Sequence, residues 1–194
     1  MPNHRETERM LIRPFTEADL DDLAALHGDP GVMRRIDDGR PVPRAVTEHD
    51  TLPALLREYR ELPAGAGCFA AVARSTGGFL GWFSLRPAAS RGLAGGTELG
   101  YRLRPACWGR GLATEGARAM VGSAFRDLGA ERVVATTMTV NTASRRVLEK
   151  AGLVLVRTFF EEWPEYIEGA EHGDVEYALT RQEWARREGP VSSR

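Results

Sequence analysis

The sequence has little cysteine, and its two cysteines do not form a disulfide or metal-binding motif. Cys68 and Cys107 stand far apart, without CxxC spacing and without a nearby pair of histidines. Small secreted scaffolds and structural zinc sites use several closely spaced cysteines, so we expect a reduced, cytosolic protein. The four histidines also lack the spacing of metal ligands, and no metal is expected.

Long apolar runs and a surplus of positive charge are missing as well. No apolar stretch approaches the roughly 18 residues that a membrane-spanning helix needs. The first ten residues are charged and lack the apolar centre of a signal peptide. The formal net charge is −1, whereas nucleic-acid-binding proteins usually carry a basic excess. These absences predict a cytoplasmic, soluble protein that binds neither membrane nor nucleic acid.

What the chain does contain is patterning for one mixed domain. Hydrophobic residues make up 42% of the 194 residues, which is enough for a core. We expect one domain over residues 1–188 and a flexible tail at 189–194. Apolar spacing predicts the following order: strand 10–14, helices 20–26 and 46–62, strands 68–73, 79–85 and 97–103, helix 111–128, strand 132–139, helix 141–150, strands 153–160 and 174–179, and helix 180–187. That order is typical of an α/β domain with a mixed sheet.

The loop between the strand at 97–103 and the helix at 111–128 is rich in glycine. Gly109 and Gly111 remove side chains where a backbone approaches an anion, and the helix start supplies unpaired N–H groups and a positive dipole end. A diphosphate suits such a loop. A dinucleotide fingerprint would need glycine in place of Thr114, and a P-loop would need a Gly-Lys-Ser/Thr ending that the chain lacks.

Three linked motifs resemble the GNAT superfamily of N-acetyltransferases. Residues 108–114 resemble its acyl-CoA loop, with Trp108 where Gln or Arg is usual, as in the branch that acetylates ribosomal-protein N-termini. The string Glu98-Leu99-Gly100-Tyr101 lies before the loop, and Asn141-x-x-Ser144 followed by Glu149-Lys150-Ala151-Gly152-Leu153 lies after it. The resemblance spans about residues 8–186. It implies acetyl-CoA as co-substrate and a mostly antiparallel sheet of about six to seven strands.

The resemblance also implies where acetyl-CoA binds. One strand is expected to splay from its neighbour, so that the pantetheine arm fills a V-shaped gap. The expected contacts are Tyr101, Arg102, Leu103, Gly109, Arg110, Gly111, Leu112, Ala113, Thr114, Asn141 and Ser144. Arg104, Arg110, Arg145 and Arg146 are candidates to neutralise the phosphates, although exposed arginines are more often simply solvated.

Glu98 is the predicted general base, because it begins the strand beside the expected thioester and could reach an amine through a water. The competing interpretation is a structural glutamate paired with Arg102 or another cation. Many superfamily members use a tyrosine as the acid for the departing thiolate, but this chain has Leu148 at that position. The ribosomal-protein branch suggests Ser144 instead, and a plain helix-start role is its alternative.

The acceptor is predicted to be a primary amine, either a peptide N-terminus or a small cationic amine. The acidic segment, residues 158–180, carries seven acidic residues and no Lys or Arg. Its aromatic residues include Trp163 and Tyr166, which are candidate substrate contacts. A solvated acidic loop is the competing interpretation. We expect direct transfer of the acetyl group within a ternary complex.

Two further functions stay open at this point. The vacant tyrosine position allows a non-catalytic acyl-CoA-binding regulatory module. In an assembly role, the second helix and the acidic segment would form a homodimer or partner surface, with or without catalysis.

Overall fold

An open eight-stranded sheet dominates the computed structural model, which describes residues 4–160 and 167–188. Its strands are β1 Arg5–Glu6, β2 Met10–Pro14, β3 Gly67–Ala73, β4 Phe79–Pro87, β5 Thr97–Leu103, β6 Arg132–Met138, β7 Val154–Phe159 and β8 Asp174–Thr180. Their spatial order is β1-β2-β3-β4-β5-β6-β8-β7. Every neighbouring pair is antiparallel except β5 and β6. The predicted mixed α/β fold is confirmed, with β1 as an additional strand at the edge.

The helices cover both faces of this sheet. They are α1 Leu20–His27, α2 Pro30–Met33, α3 Arg44–Val46, α4 Leu52–Glu61, α5 Leu112–Arg126, α6 Thr142–Lys150 and α7 Arg181–Glu188. The helix predicted over 46–62 is interrupted, because a π-turn at Thr47–Thr51 joins α3 to α4. Pro53 in the first turn of α4 has no N–H to donate, and the wider turn accommodates its ring. None of the described helices is long and apolar enough to cross a membrane.

Two hydrophobic cores lie on opposite faces of the sheet. On the α5 face, Leu99 and Leu103 pack beneath α5. On the α2 face, Met33 and neighbouring apolar residues of α1 and α4 pack against β3 and β4. Side chains alternate along a strand, so Glu98 and Arg102 project toward the α2 face. β5 therefore presents different chemistry to each side.

α5 packs closely against the sheet through Gly116. A Cβ at this position would overlap the ring of Phe83, which is fully buried. The glycine lets the start of α5 approach the strands, and it fixes the direction in which the first turn points.

β5 and β6 are joined only at their beginnings. Their parallel pairing consists of Thr97 with Val133 and Glu98 with Val134. Beyond these pairs the two strands separate, and a cleft opens between Leu99–Leu103 and Ala135–Met138. The splayed strand that the sequence motifs implied is therefore present, between β5 and β6.

Candidate active site

The cleft between β5 and β6 has a volume of about 1180 Å³. At one end it is lined by Gly109, Gly111 and the first turn of α5. At the other end its lining includes Trp82, Glu98 and residues 34–38, which follow α2. The opening thus connects the α5 face with the α2 face, and two molecules entering from opposite sides can meet beside β5.

The glycine loop leaves open space above the start of α5. Gly109 and Gly111 have φ values of 71° and 78°, in the left-handed region that favours glycine. A Cβ at Gly109 would meet nothing within 4 Å, and one at Gly111 would meet only Arg9, at 3.5 Å. Gly111 caps α5 without a side-chain hydrogen bond, so the first-turn amides stay available for a ligand. An anion such as a diphosphate fits this arrangement.

Arg9 braces the loop from the start of β2, a role that the sequence motifs did not suggest. Its Nη1 donates to the carbonyl oxygen of Arg110 at 2.8 Å, and its Nε donates to Glu115 at 2.6 Å. Burial acts to raise the pKa of the Glu115 carboxyl, but hydrogen bonds from Thr7 and Arg9 outweigh it and lower the pKa. At the other end of the loop, the Trp108 indole donates to the carbonyl oxygen of Leu103 at 2.8 Å.

The arginines proposed as phosphate contacts have different surroundings. Arg145 donates to the Tyr177 hydroxyl at 3.1 Å and to the carbonyl oxygen of Thr139 at 3.2 Å, which holds α6 on the sheet. Arg104 lies 3.5 Å from Asp22. Arg146 lines the cleft. Arg146 is therefore the better placed of these three to meet a ligand phosphate.

Glu98 lies where β5 and β6 separate. Its side chain lines the cleft and the residue is 8% exposed, so a ligand in the cleft would largely remove its carboxylate from water. Across the β4–β5 ladder its partner is Arg86, which also binds Glu58 at 2.8 Å. Burial acts to lower the pKa of the Arg86 guanidinium, but nearby anionic groups, Glu98 among them, outweigh it and raise the pKa. The geometry accommodates both interpretations of Glu98.

Ser144 belongs to a pair of hydroxyl groups inside the cleft. Its Oγ lies 2.8 Å from the hydroxyl oxygen of Tyr101, which also donates to the Ser144 carbonyl at 3.2 Å. Burial raises the pKa of Tyr101 to about 12, so this hydroxyl keeps its proton at neutral pH. The Asn141 side chain accepts from the Ser144 amide at 3.3 Å and caps α6, while Leu148 is buried in the core. The partnership of Tyr101 with Ser144 was not predicted, because 43 residues separate them.

The acidic segment divides into different environments. Asp174 is buried and lines the cleft, whereas Glu176 accepts from Arg132 and Arg157, each at 2.8 Å. Burial acts to raise the pKa of Glu176, but these two hydrogen bonds outweigh it and lower the pKa. The segment is thus not simply a solvated loop. The predicted contacts Trp163 and Tyr166 lie outside the described residues.

Within the ranges 4–160 and 167–188, no group of three or more His, Cys, Asp or Glu side chains could hold a metal ion. Cys68 and Cys107 are both free and buried. The groups that line the described cleft include carboxylates, hydroxyls, arginines, backbone amides and the thiol of Cys107.

Comparison with known proteins identifies the family of this chain. A family model described as the acetyltransferase (GNAT) domain matches residues 9–154. The chain belongs to the GNAT acetyltransferase family. It is accordingly an acyltransferase with acetyl-CoA as its co-substrate, which confirms the resemblance of the three motifs. The binding-only alternative receives no support from these matches.

Individual relatives of this GNAT acetyltransferase agree with that assignment. It is 36% identical to the FsC-acetyl coenzyme A-N(2)-transacetylase of Aspergillus fumigatus, over 97% of this chain and 80% of that protein. An acetyltransferase structure from Bacillus anthracis aligns with a TM-score of 0.75 at 22% identity, over 93% of this chain and 99% of that one. The coenzyme A complex of RimL, a ribosomal L7/L12 alpha-N-protein acetyltransferase, aligns with a TM-score of 0.72 at 16% identity, over 93% and 99% of the two chains. At such identities the structural matches establish the fold alone, so RimL does not assign a branch.

Proposed function

We propose that this GNAT acetyltransferase moves the acetyl group of acetyl-CoA directly to a primary amine in a ternary complex. The observation that carries the proposal is the continuous cleft between β5 and β6. It connects the anion-binding start of α5 on one face with Glu98 on the other. Donor and acceptor can therefore occupy it together, without a covalent enzyme intermediate.

The donor end holds its ligand through backbone groups. Acetyl-CoA supplies an activated thioester when it is bound. The amides of residues 112–114 would bind its diphosphate, and Gly109 and Gly111 leave the room that this requires. Arg9 would keep the loop in position, and Arg146 would balance phosphate charge.

Glu98 would accept the proton that the acceptor ammonium must lose, directly or through a water. The freed amine nitrogen then forms the N–C bond as the C–S bond breaks, and it loses its second proton to solvent as the amide forms. The Ser144 hydroxyl would protonate the leaving sulfur, and Tyr101 would orient that hydroxyl through the 2.8 Å contact. Ser144 would regain a proton from solvent, and Glu98 would release the proton that it accepted to solvent, so that one net proton leaves in each cycle. These assignments need no metal and leave the protein unchanged after each cycle.

An amine acceptor is supported by the name of one relative, which is an N(2)-transacetylase. Among the described acidic residues of the acidic segment, Asp174 lines the cleft and adds negative charge there. Contacts of Trp163 and Tyr166 with the substrate, and a homodimer built through the second helix and the acidic segment, stay predictions.

A coenzyme A release assay on a panel of primary amines, with wild type and Glu98→Gln, tests the proposal. We expect about a 100-fold lower kcat for the variant, the low end of general acid–base effects, with an unchanged Kd for acetyl-CoA. Glu176→Gln is the matched control, because it neutralises another buried carboxylate on the same sheet face, and its kcat should persist. A wild-type kcat in Glu98→Gln would refute the base assignment. Tight binding of acetyl-CoA without turnover on any amine would favour the regulatory module.

A further inference from the structure

The acceptor end of the cleft carries positive charge as well as negative charge. Arg34 and Arg35 follow α2 and line the cleft, as does Arg102 on β5. Glu98 and Asp174 line it from the strands that flank the opening. A substrate in this space therefore meets both carboxylates and guanidinium groups.

Among the described residues, two further acidic groups line the cleft beside Arg34 and Arg35. They are Asp37 and Asp38, and both are exposed to solvent. Asp38 accepts a hydrogen bond from the Arg40 amide within its own turn. Solvent screens such exposed charges, so they neutralise Arg34 and Arg35 only in part.

Arg35 has a buried donor with no acceptor. Among the residues that the structure describes, nothing accepts a hydrogen bond from its Nε, although this atom is shielded from solvent. A buried N–H group without a partner destabilises the protein, and the cost is larger when the group is charged. Arg35 lines the cleft, so a ligand with an oxygen acceptor could satisfy this donor.

Arg102 is held on the same wall of the cleft. Its guanidinium stacks over the Trp82 ring at 5.2 Å, and its Nη1 donates to the sulfur of Met33 at 3.2 Å. Met33 ends α2, two residues before Arg35, so the side chain of Arg102 reaches the backbone segment that carries Arg35. Stacking fixes the plane of a guanidinium, which favours two-point binding of a carboxylate.

The pKa of His27 is lowered by burial and by the positive charge of Arg102. Together these two effects bring the pKa to about 4. The imidazole is neutral at pH 7, and its Nε2 accepts from the Trp82 indole at 3.3 Å. The neutral histidine thus holds Trp82 in position without adding positive charge beside Arg35 and Arg102.

We propose that Arg35 and Arg102 form an anion subsite, and that the acceptor is an amine that also carries a carboxylate. This inference rests on the proposed function and narrows it. The amine faces Glu98 while its carboxylate binds Arg35 and Arg102. The acceptor is then amphoteric, and its orientation is set by two opposite charges rather than by a cation alone.

Matched amines test the subsite. Phenylalanine and phenethylamine differ only in a carboxylate, as do lysine and cadaverine. We expect at least a tenfold higher kcat/KM for the carboxylate-bearing member of a pair. Ethanolamine and O-phosphoethanolamine form a third pair, which tests whether a phosphate can replace the carboxylate.

Arg35→Gln should raise the KM of a carboxylate-bearing amine at least tenfold. The KM of its carboxylate-free partner and the Kd of acetyl-CoA should stay unchanged. A general structural defect would instead alter these two values as well. Arg35→Lys keeps the charge and should recover part of the loss. Arg57→Gln removes an exposed cation on α4 and serves as the matched control.

Several results would overturn the subsite. These are equal use of the paired amines, an equal rise in both KM values in Arg35→Gln, or acetylation of no carboxylate-bearing amine by an enzyme that binds acetyl-CoA. A preference confined to the phosphate-bearing amine would overturn the carboxylate assignment. Failure to bind acetyl-CoA would instead refute the donor half of the proposed function, so the two failures are distinguishable.

Discussion

The two ends of the cleft are built from different parts of the polypeptide. At the donor end, the glycine conformations and the amides at the start of α5 form the proposed anion site, so backbone atoms make most of it. At the acceptor end, the charges come from side chains of residues far apart in sequence, such as Arg35, Glu98 and Asp174. A backbone site changes little when neighbouring side chains change. A side-chain site can acquire a new specificity through one or two substitutions.

The largest effect is expected from a negative charge placed at the donor end of the cleft. Gly111→Glu should weaken acetyl-CoA binding at least 100-fold in a calorimetric titration. The added carboxylate would occupy the space for the diphosphate, and a φ of 78° disfavours any side chain there.

Gly129→Glu provides the matched control for that charge. Gly129 also has a positive φ, 66°, with open space around it, but it follows the C-terminal end of α5. The same carboxylate and a similar backbone strain are thereby placed at the opposite end of one helix. Retained affinity in Gly111→Glu, or an equal loss in both variants, would show that the diphosphate binds elsewhere.

A smaller effect is expected where α5 rests on the sheet. Gly116→Ala should lower the free energy of unfolding by about 2 kcal/mol, because the new methyl group overlaps the buried Phe83 ring. Gly122→Ala in the same helix should change it by less than about 1 kcal/mol, since its methyl group meets the end of the flexible Arg126 side chain. Urea denaturation measures both. Equal effects would mean that Gly116 does not set the position of the helix.

The smallest effect concerns the hydroxyl pair of Tyr101 and Ser144, for which we propose a role in the reaction. Ser144→Ala should lower kcat about tenfold, because water can replace a hydroxyl as proton donor at reduced efficiency. Tyr101→Phe should cause a smaller loss, since Ser144 keeps its own hydroxyl. The Kd of acetyl-CoA should stay constant in both. If Tyr101→Phe alone abolished turnover, the tyrosine rather than the serine would be the acid.

The donor end could be predicted from sequence because its determinants are contiguous. Gly109, Gly111 and the cap at Asn141 each act within a few residues, and the strand and helix starts followed from apolar spacing. Such signals depend on local backbone geometry, which a short string of residues specifies. The mixed sheet was predicted from the order of the apolar runs, whereas the splayed strand was implied by the resemblance to the GNAT superfamily.

The contacts that sequence did not predict join distant segments. Arg9 reaches the loop across about a hundred residues, and Tyr101 meets Ser144 only after α6 has packed on the sheet. The two-residue strand β1 is too short to show a pattern, and the π-turn before Pro53 follows no simple periodicity. Charge counting found the acidic segment, but it could not tell that Glu176 is held by arginines while Asp174 lines the cleft.

Because β5 and β6 pair only briefly, the stability of the folded enzyme would also depend on the supply of its acetyl donor. Only two residue pairs join these strands in the described structure, so the facing edges of Leu99–Leu103 and Ala135–Met138 lack strand-to-strand bonds. A molecule bound along this seam would take the place of the missing strand pairing and would favour the folded state. By mass action it would add about 2.7 kcal/mol to the folding free energy at a hundred times its Kd. The lifetime of the enzyme would then rise and fall with the supply of its acetyl donor.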